Sequence, residues 1–248
     1  MTVLAVKDLS KSFGAVHAVH GVSFSLAAGE LLAMIGPNGA GKSTCFNLLN
    51  GQLAPDAGAI ELDGRSIAGL APRDIWHLGV GRTFQITATF GSMSVRENVQ
   101  VALLSHRRRL WSLLPLAARH GCAEADALLA RVGMLEQAER PCALLAYGDL
   151  KRVELAVALA SRPRLLLMDE PTAGMAPAER DALMRLTTAL ARDENVAVLF
   201  TEHDMDVVFT HADRVIVLAG GALIAEGTPQ GVRADTRVRE IYLGGADD

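Results

Sequence analysis

The stretch Gly36-Pro37-Asn38-Gly39-Ala40-Gly41-Lys42-Ser43-Thr44 limits what this chain can fold into more than any other part of it. It follows the apolar run Leu31-Leu32-Ala33-Met34-Ile35 and leads into Cys45-Phe46-Asn47-Leu48-Leu49, an order that reads as strand, glycine-rich loop and helix. Glycines let the backbone close tightly around an anion, and the loop N–H groups and the positive end of the next helix then face it. Lys42 adds a full charge toward the β- and γ-phosphates of a nucleotide, and Ser43 offers a hydroxyl to Mg²⁺. A glycine-rich turn alone says little; the complete GxxxxGKS pattern between a strand and a helix is far more specific.

The 248 residues are enough for one large domain or two tightly packed subdomains, and one nucleotide-binding unit over residues 1–248 is expected. Half the residues are hydrophobic, yet no unbroken apolar stretch approaches the roughly 20 residues that cross a bilayer as a helix. Met1 to Asp8 carry no basic segment followed by an apolar core, so no export signal is expected and the chain should stay in the cytoplasm. The net charge of −4 gives no overall reason to attract nucleic acid. Cys45, Cys122 and Cys142 form no CxxC pair, which suggests neither a zinc site nor a disulfide framework.

Strand-like stretches around Leu4 to Val6, Val19 to Leu26 and Ala59 to Leu62 predict an N-terminal β-rich layer. The helix after the loop should end at Asn50-Gly51, where Gly51 can take the left-handed conformation. From Ser94 to about Ala160 the pattern is helical, opening on the capping box Ser94-Val95-Arg96-Glu97, and a helical insertion at about 94–160 accounts for it. Leu165 to Met168 and Val196 to Phe200 are continuous apolar runs of the kind that form central parallel strands, with a helix from Pro177 to about Arg192 between them. Gly220-Gly221 marks a hairpin between strands around Val215 to Leu218 and Ala222 to Ile224, and Thr228-Pro229 opens a further helix. The run Arg107-Arg108-Arg109 reads first as a solvated helix face or loop, with contact at a membrane surface or a partner as the lesser reading.

A phosphate loop alone fits kinases, GTPases and many ATPases. The apolar run Leu165 to Met168 ends in Asp169-Glu170, two carboxylates with separable tasks: Asp169 suits the Mg²⁺ shell, and Glu170 can orient or deprotonate an attacking water. His203 follows a second buried strand, and its imidazole can bond a phosphate oxygen at the same sheet edge.

With these residues in place, the sequence resembles the ATP-binding subunits of ABC transporters over nearly its whole length. The resemblance rests on the loop, Asp169-Glu170, Gln85 in Gly81-Arg82-Thr83-Phe84-Gln85, the signature-like Leu145-Ala146-Tyr147-Gly148-Asp149, the D-loop-like Ala173-Gly174-Met175-Ala176-Pro177, and His203 in Thr201-Glu202-His203-Asp204. It implies an α/β P-loop NTPase with a mostly parallel core sheet, an antiparallel β layer and a helical subdomain, and it implies ATP and Mg²⁺ as ligands. It also implies that Gln85 touches Mg²⁺ and the attacking water while sensing a permease, that His203 contacts the γ-phosphate, and that Phe13 stacks on adenine; a core phenylalanine at a strand end is the other reading of Phe13.

The signature departs from the common Leu-Ser-Gly-Gly-Gln: Ala146 replaces serine, Tyr147 the first glycine and Asp149 the glutamine. In this family the segment Ala146-Tyr147-Gly148-Asp149 closes in trans over ATP held by another subunit. Losing the hydroxyl removes a phosphate hydrogen bond of about 1.5–3 kcal/mol if charge-assisted, so two unequal ATP sites are expected. Arg82 to Gln85, Ala146 to Gly148, Ala173 to Pro177, Glu202 to Met205 and the ending Glu240-Ile241-Tyr242-Leu243-Gly244 resemble the branched-chain amino-acid subfamily. That resemblance implies two membrane permease subunits, a second and different ATPase subunit, a separate substrate-binding protein, no nucleic acid, and a peripheral place on the cytoplasmic face of the cell membrane. A soluble ABC ATPase outside transport, or a nucleotide-sensing subunit with negligible hydrolysis, are the alternatives.

Overall fold

A β-sheet that is covered on both faces needs strands apolar at every position, and the continuous runs around Leu31, Leu165 and Val198 meet that need. The computed structural model describes residues 1–83, 89–107 and 121–243. In chain order its strands are β1 (Thr2–Phe13), β2 (Val16–Ala27), β3 (Leu31–Ile35), β4 (Ala57–Leu62), β5 (Arg65–Ser66), β6 (Val80–Thr83), β7 (Leu165–Asp169), β8 (Ala197–Thr201), β9 (Arg214–Ala219) and β10 (Ala222–Gly227). Its helices are α1 (Lys42–Leu49), α2 (Pro72–His77), α3 (Val95–His106), α4 (Cys122–Arg131), α5 (Tyr147–Leu159), α6 (Pro177–Glu194), α7 (Met205–His211), α8 (Pro229–Ala234) and α9 (Thr236–Leu243).

One sheet has the order β10-β9-β3-β8-β7-β6; all its pairings are parallel except β10 with β9. The other, β2-β1-β4-β5, is antiparallel throughout. Alternation along the central strands divides the core. Leu32, Met34, Leu165, Leu167, Leu199 and Ile216 face a cluster shared with the antiparallel sheet and α1. Leu31, Ile35, Leu166, Met168, Phe200 and Val217 face the opposite cluster, which also takes Val95, Leu129, Val153 and Leu183 from the helices. Phe200 is completely buried, and its truncation to alanine should cost about 3–5 kcal/mol.

Local signals explain the ends of elements. Ser94 Oγ accepts from Glu97 N at 3.2 Å while Ser94 N donates to Glu97 Oε2 at 2.7 Å, so the expected capping box starts α3. Gly51 ends α1 with φ 75°, and a Cβ there would overlap the Leu70 carbonyl. Thr228 caps α8 by accepting from Gly231 N at 3.2 Å, and Gly220 and Gly221 both have positive φ in the β9–β10 turn. Arg107 is exposed and pairs with Glu124; Arg108 and Arg109 lie outside the described residues. The β1 and β2 strands run well beyond the apolar stretches that announce them, because backbone pairing continues through Lys11, Ser12 and His17. Among the described residues no helix is long and apolar enough to cross a membrane.

Candidate functional site

The glycine-rich loop leaves β3 and is gripped by its neighbours. A Cβ at Gly36 would overlap the carbonyl oxygen of Leu218 in β9, and one at Gly41, where φ is 102°, would overlap that of Ala18 in β2. Only glycine fits such contacts. Helix α1 starts at Gly41 with no side chain capping it. Lys42 is buried and folds back over the loop, donating from Nζ to the Gly36 carbonyl at 2.6 Å and to the Pro37 carbonyl at 3.1 Å. Burial pushes its pKa down, against the pull of Glu170 and Asp169. Ser43 is exposed, Thr44 half-buried, and Asn38 and Gly39 lie at the exposed tip, where Ala40 N closes the turn on the Pro37 carbonyl at 3.1 Å.

The acids stand at the end of β7, two strands away in the same sheet. Thr201, the last residue of β8, donates its hydroxyl to Asp169 Oδ1 at 2.8 Å and accepts from the backbone N–H of Glu170 at 3.0 Å. Asp169 Oδ2 faces Arg82 Nη2 at 3.5 Å, and Arg82 Nη1 reaches Asn47 at 3.0 Å and Gln52 at 3.1 Å. Burial lowers the pKa of Arg82, with Asp169 opposing. Glu170 has φ 48°, a left-handed backbone that a side-chain-bearing residue adopts at some expense. Its Oε1 meets His203 Nε2 at 2.9 Å, and the imidazole is half-exposed.

The structure therefore brings Lys42, Asp169, Glu170 and His203 to the C-terminal edge of β3, β7 and β8, where ligands of such sheets bind. Gln85 lies outside the described residues. Phe13 ends β1 at 50% exposure, on the hairpin whose Ala18 touches the loop, so the core reading of this ring is corrected: it is a surface ring, with Lys11 Nζ 5.8 Å from its centroid. Segment 146–149 stands elsewhere, at the start of α5. Ala146 is the N-cap residue and no side chain caps the helix; Ala146 and Tyr147 are exposed. Gly148 is buried so closely against Glu179 that a Cβ would lie 3.3 Å from the carboxyl carbon, and Asp149 adds an acid in the first turn.

Thr201 and Arg82 were not predicted as site residues; a polar residue closing the otherwise apolar run of β8 was the available signal for Thr201. Among the described residues no group of three or more His, Cys, Asp or Glu could hold a metal. The hard oxygens of Ser43 and Asp169 fit Mg²⁺, which takes one or two protein ligands and completes its shell with phosphate and water. The three cysteines are free, and burial pushes the Cys45 thiol up to about 12.

Residues 19–173 match the family model described as ABC transporter, and residues 222–248 match one described as branched-chain amino acid ATP-binding cassette transporter. The chain is 40% identical to the high-affinity branched-chain amino acid transport ATP-binding protein BraF of Pseudomonas aeruginosa, over 98% of each. It is 39% identical to the corresponding protein LivG of Escherichia coli K12, again over 98% of each. The ADP conformation of an ATP-binding cassette of an ABC transporter superposes with a TM-score of 0.88 at 31% identity, covering 98% of this chain and 99% of that one. A nucleotide-free cassette gives 0.87 at 30% identity, with the same coverage. With its phosphate loop, paired acids and histidine gathered at one sheet edge, this chain belongs to the ABC transporter family as an ATP-binding cassette ATPase.

Proposed function

We propose that this chain powers the import of branched-chain or related amino acids through a membrane permease. The observation that carries the chemistry is the convergence of Lys42, Asp169 and the Glu170–His203 pair beside the glycine-rich loop. Residues 36–44 cradle the phosphates; Lys42 exchanges its two loop carbonyls for phosphate oxygens, and Phe13 offers a ring to adenine. Ser43 and Asp169, with Gln85, would hold the Mg²⁺ that offsets charge on the β- and γ-phosphates. Glu170 accepts a proton from the attacking water, while His203, in contact with its carboxylate, would contact the γ-phosphate. The backbone N–H bonds from Glu170 to Thr201 aim that carboxylate.

Residues 1–248 form a single nucleotide-binding domain with a helical subdomain inserted at about 94–160. Docking of the permease is supported by an apolar cleft of about 340 Å³ lined by Ile75, Trp76, Val80, Ala102 and Val157. Arg82 lines the same cleft and touches Asp169, so an occupant there has a direct route to the acids. The amino-acid substrate is supported by the match of residues 222–248 and by the transport named for the relatives. The complex holds two permease subunits, a second ATPase subunit and a separate binding protein, excludes nucleic acid, and places this chain on the cytoplasmic face of the membrane. Its two ATP sites are unequal: the start of α5 lacks a serine hydroxyl and already faces Glu179 and Asp149.

Tagging the chain, solubilising membranes gently and weighing what copurifies tests this. Two permeases and a second ATPase are expected; soluble partners alone would leave an ABC ATPase outside transport.

A further inference from the structure

We propose that Arg180 is a positioning residue for the Glu170–His203 pair, tying the turn that carries His203 to the segment that follows Glu170. His203 is flanked by two carboxylates that each reach the segment 172–180, Glu202 at Thr172 and Asp204 at Arg180. On one side Glu202, buried, accepts from both the backbone N–H and the hydroxyl of Thr172 at 2.8 Å. On the other, Asp204 Oδ1 accepts from Asp206 N at 3.0 Å and Val207 N at 3.4 Å, capping α7, and Asp204 Oδ2 accepts from Arg180 Nη1.

The same guanidinium donates from Nε to the Met175 carbonyl at 2.7 Å. Arg180 therefore bridges two points: one edge holds the carbonyl of a loop residue five positions before it, the other the residue next to His203. Both clamps join residues 172–180 to residues 202–204, and the 2.9 Å contact between Glu170 and His203 closes the same pair of segments at the catalytic end. His203 is 53% exposed and makes this contact with Glu170 at its ring, so its place depends on how the turn is anchored. A planar, five-donor guanidinium can hold both points at once, whereas a lysine ammonium on its flexible stem cannot span them.

This inference rests on the reading of Glu170 and His203 as the groups that act on water and phosphate. Steady-state ATP hydrolysis, measured on the full chain in the complex it purifies with, tests it through Arg180→Ala, Arg180→Lys and Asp204→Asn. Asparagine caps helices as well as aspartate does, so Asp204→Asn keeps the start of α7 while removing the charge that Arg180 holds. Arg180→Ala and Asp204→Asn should each lower kcat about tenfold, as small misplacements of catalytic groups do, with KM for ATP unchanged within about twofold. Arg180→Lys should not restore kcat, and the Arg180→Ala/Asp204→Asn double variant should be no slower than the slower single. Wild-type kcat in Asp204→Asn, full restoration by lysine, or a raised KM at unchanged kcat would each overturn the clamp. His203→Ala separates the two levels: unchanged turnover there sinks the reading of the site itself, whereas lost turnover there with silent Arg180 and Asp204 variants sinks only the clamp.

Discussion

At the C-terminal ends of β3, β7 and β8, Lys42 is held by two loop carbonyls, Asp169 by Thr201, and Glu170 by both Thr201 and His203. At the start of α5, by contrast, Ala146 and Tyr147 are exposed, no side chain caps the helix, Asp149 and Glu179 bring carboxylates to its first turn, and the Lys151 ammonium lies 5.4 Å from the Tyr147 ring centroid. The first region is organised by strand register, which holds its groups before any ligand arrives. In the function proposed above, the second depends on what its side chains can offer a phosphate, and Ala146 offers no hydroxyl. The proposed strong and weak half-sites can share a single core, since the sheet edge and the start of α5 draw on different interactions.

The largest effect is expected at Glu170. Replacing it with glutamine keeps the shape and removes the base, so turnover should fall by about 10²-fold or more, the usual share of a general base, with ATP binding retained in an equilibrium assay. Lys42→Ala should instead act on binding. Losing a charge-assisted contact of about 1.5–3 kcal/mol lowers ATP affinity roughly 10- to 150-fold, measurable by calorimetry. At the weak half, Ala146→Ser supplies both a helix cap and a hydroxyl. It should raise stability by about 1 kcal/mol, read as a higher melting temperature, and should increase ATPase activity of the assembled complex; unchanged activity would remove the case for unequal sites.

The smallest effect concerns Glu202, whose carboxyl burial holds above the usual range, against two bonds from Thr172. Its contribution to stability is fully present below the ordinary glutamate value of about 4.3 and is lost as pH rises through its higher folded value. Glutamine keeps the carbonyl acceptor for Thr172 and does not titrate. The melting temperature of Glu202→Gln should therefore gain on the wild type as pH is raised from about 5 to 8; a constant difference would show that Glu202 is not destabilised by its own charge.

The sheet edge was legible because its residues are local to motifs: the loop, the strand ending in Asp169-Glu170 and the strand before His203 each announce themselves within a few positions. The parallel sheet followed from apolar runs that burial on both faces requires. What holds the site in place was not legible, since Thr201 lies 32 residues from Asp169, Glu202 lies 30 from Thr172, and Asp204 lies 24 from Arg180. Only the fold makes them neighbours. Helices α2 and α7 were missed for a different reason: at 6 and 7 residues they are too short to show a helical period, and α2 buries only Ile75. Phe13 could be read either way from sequence because a strand end can face the core or the solvent, and its half-exposed ring chooses between them.

The measurement that bears most directly on the contrast between the two regions is the ATPase rate of the purified complex carrying Glu170→Gln beside that of one carrying Ala146→Asp. Aspartate is a good N-cap and leaves the helix start intact, while it adds a further carboxylate to the half-site proposed to be weak. A loss of about 10²-fold or more for Glu170→Gln with less than about a threefold loss for Ala146→Asp, under 1 kcal/mol, is the result this account predicts. Equal losses, or a greater loss at Ala146, would contradict it.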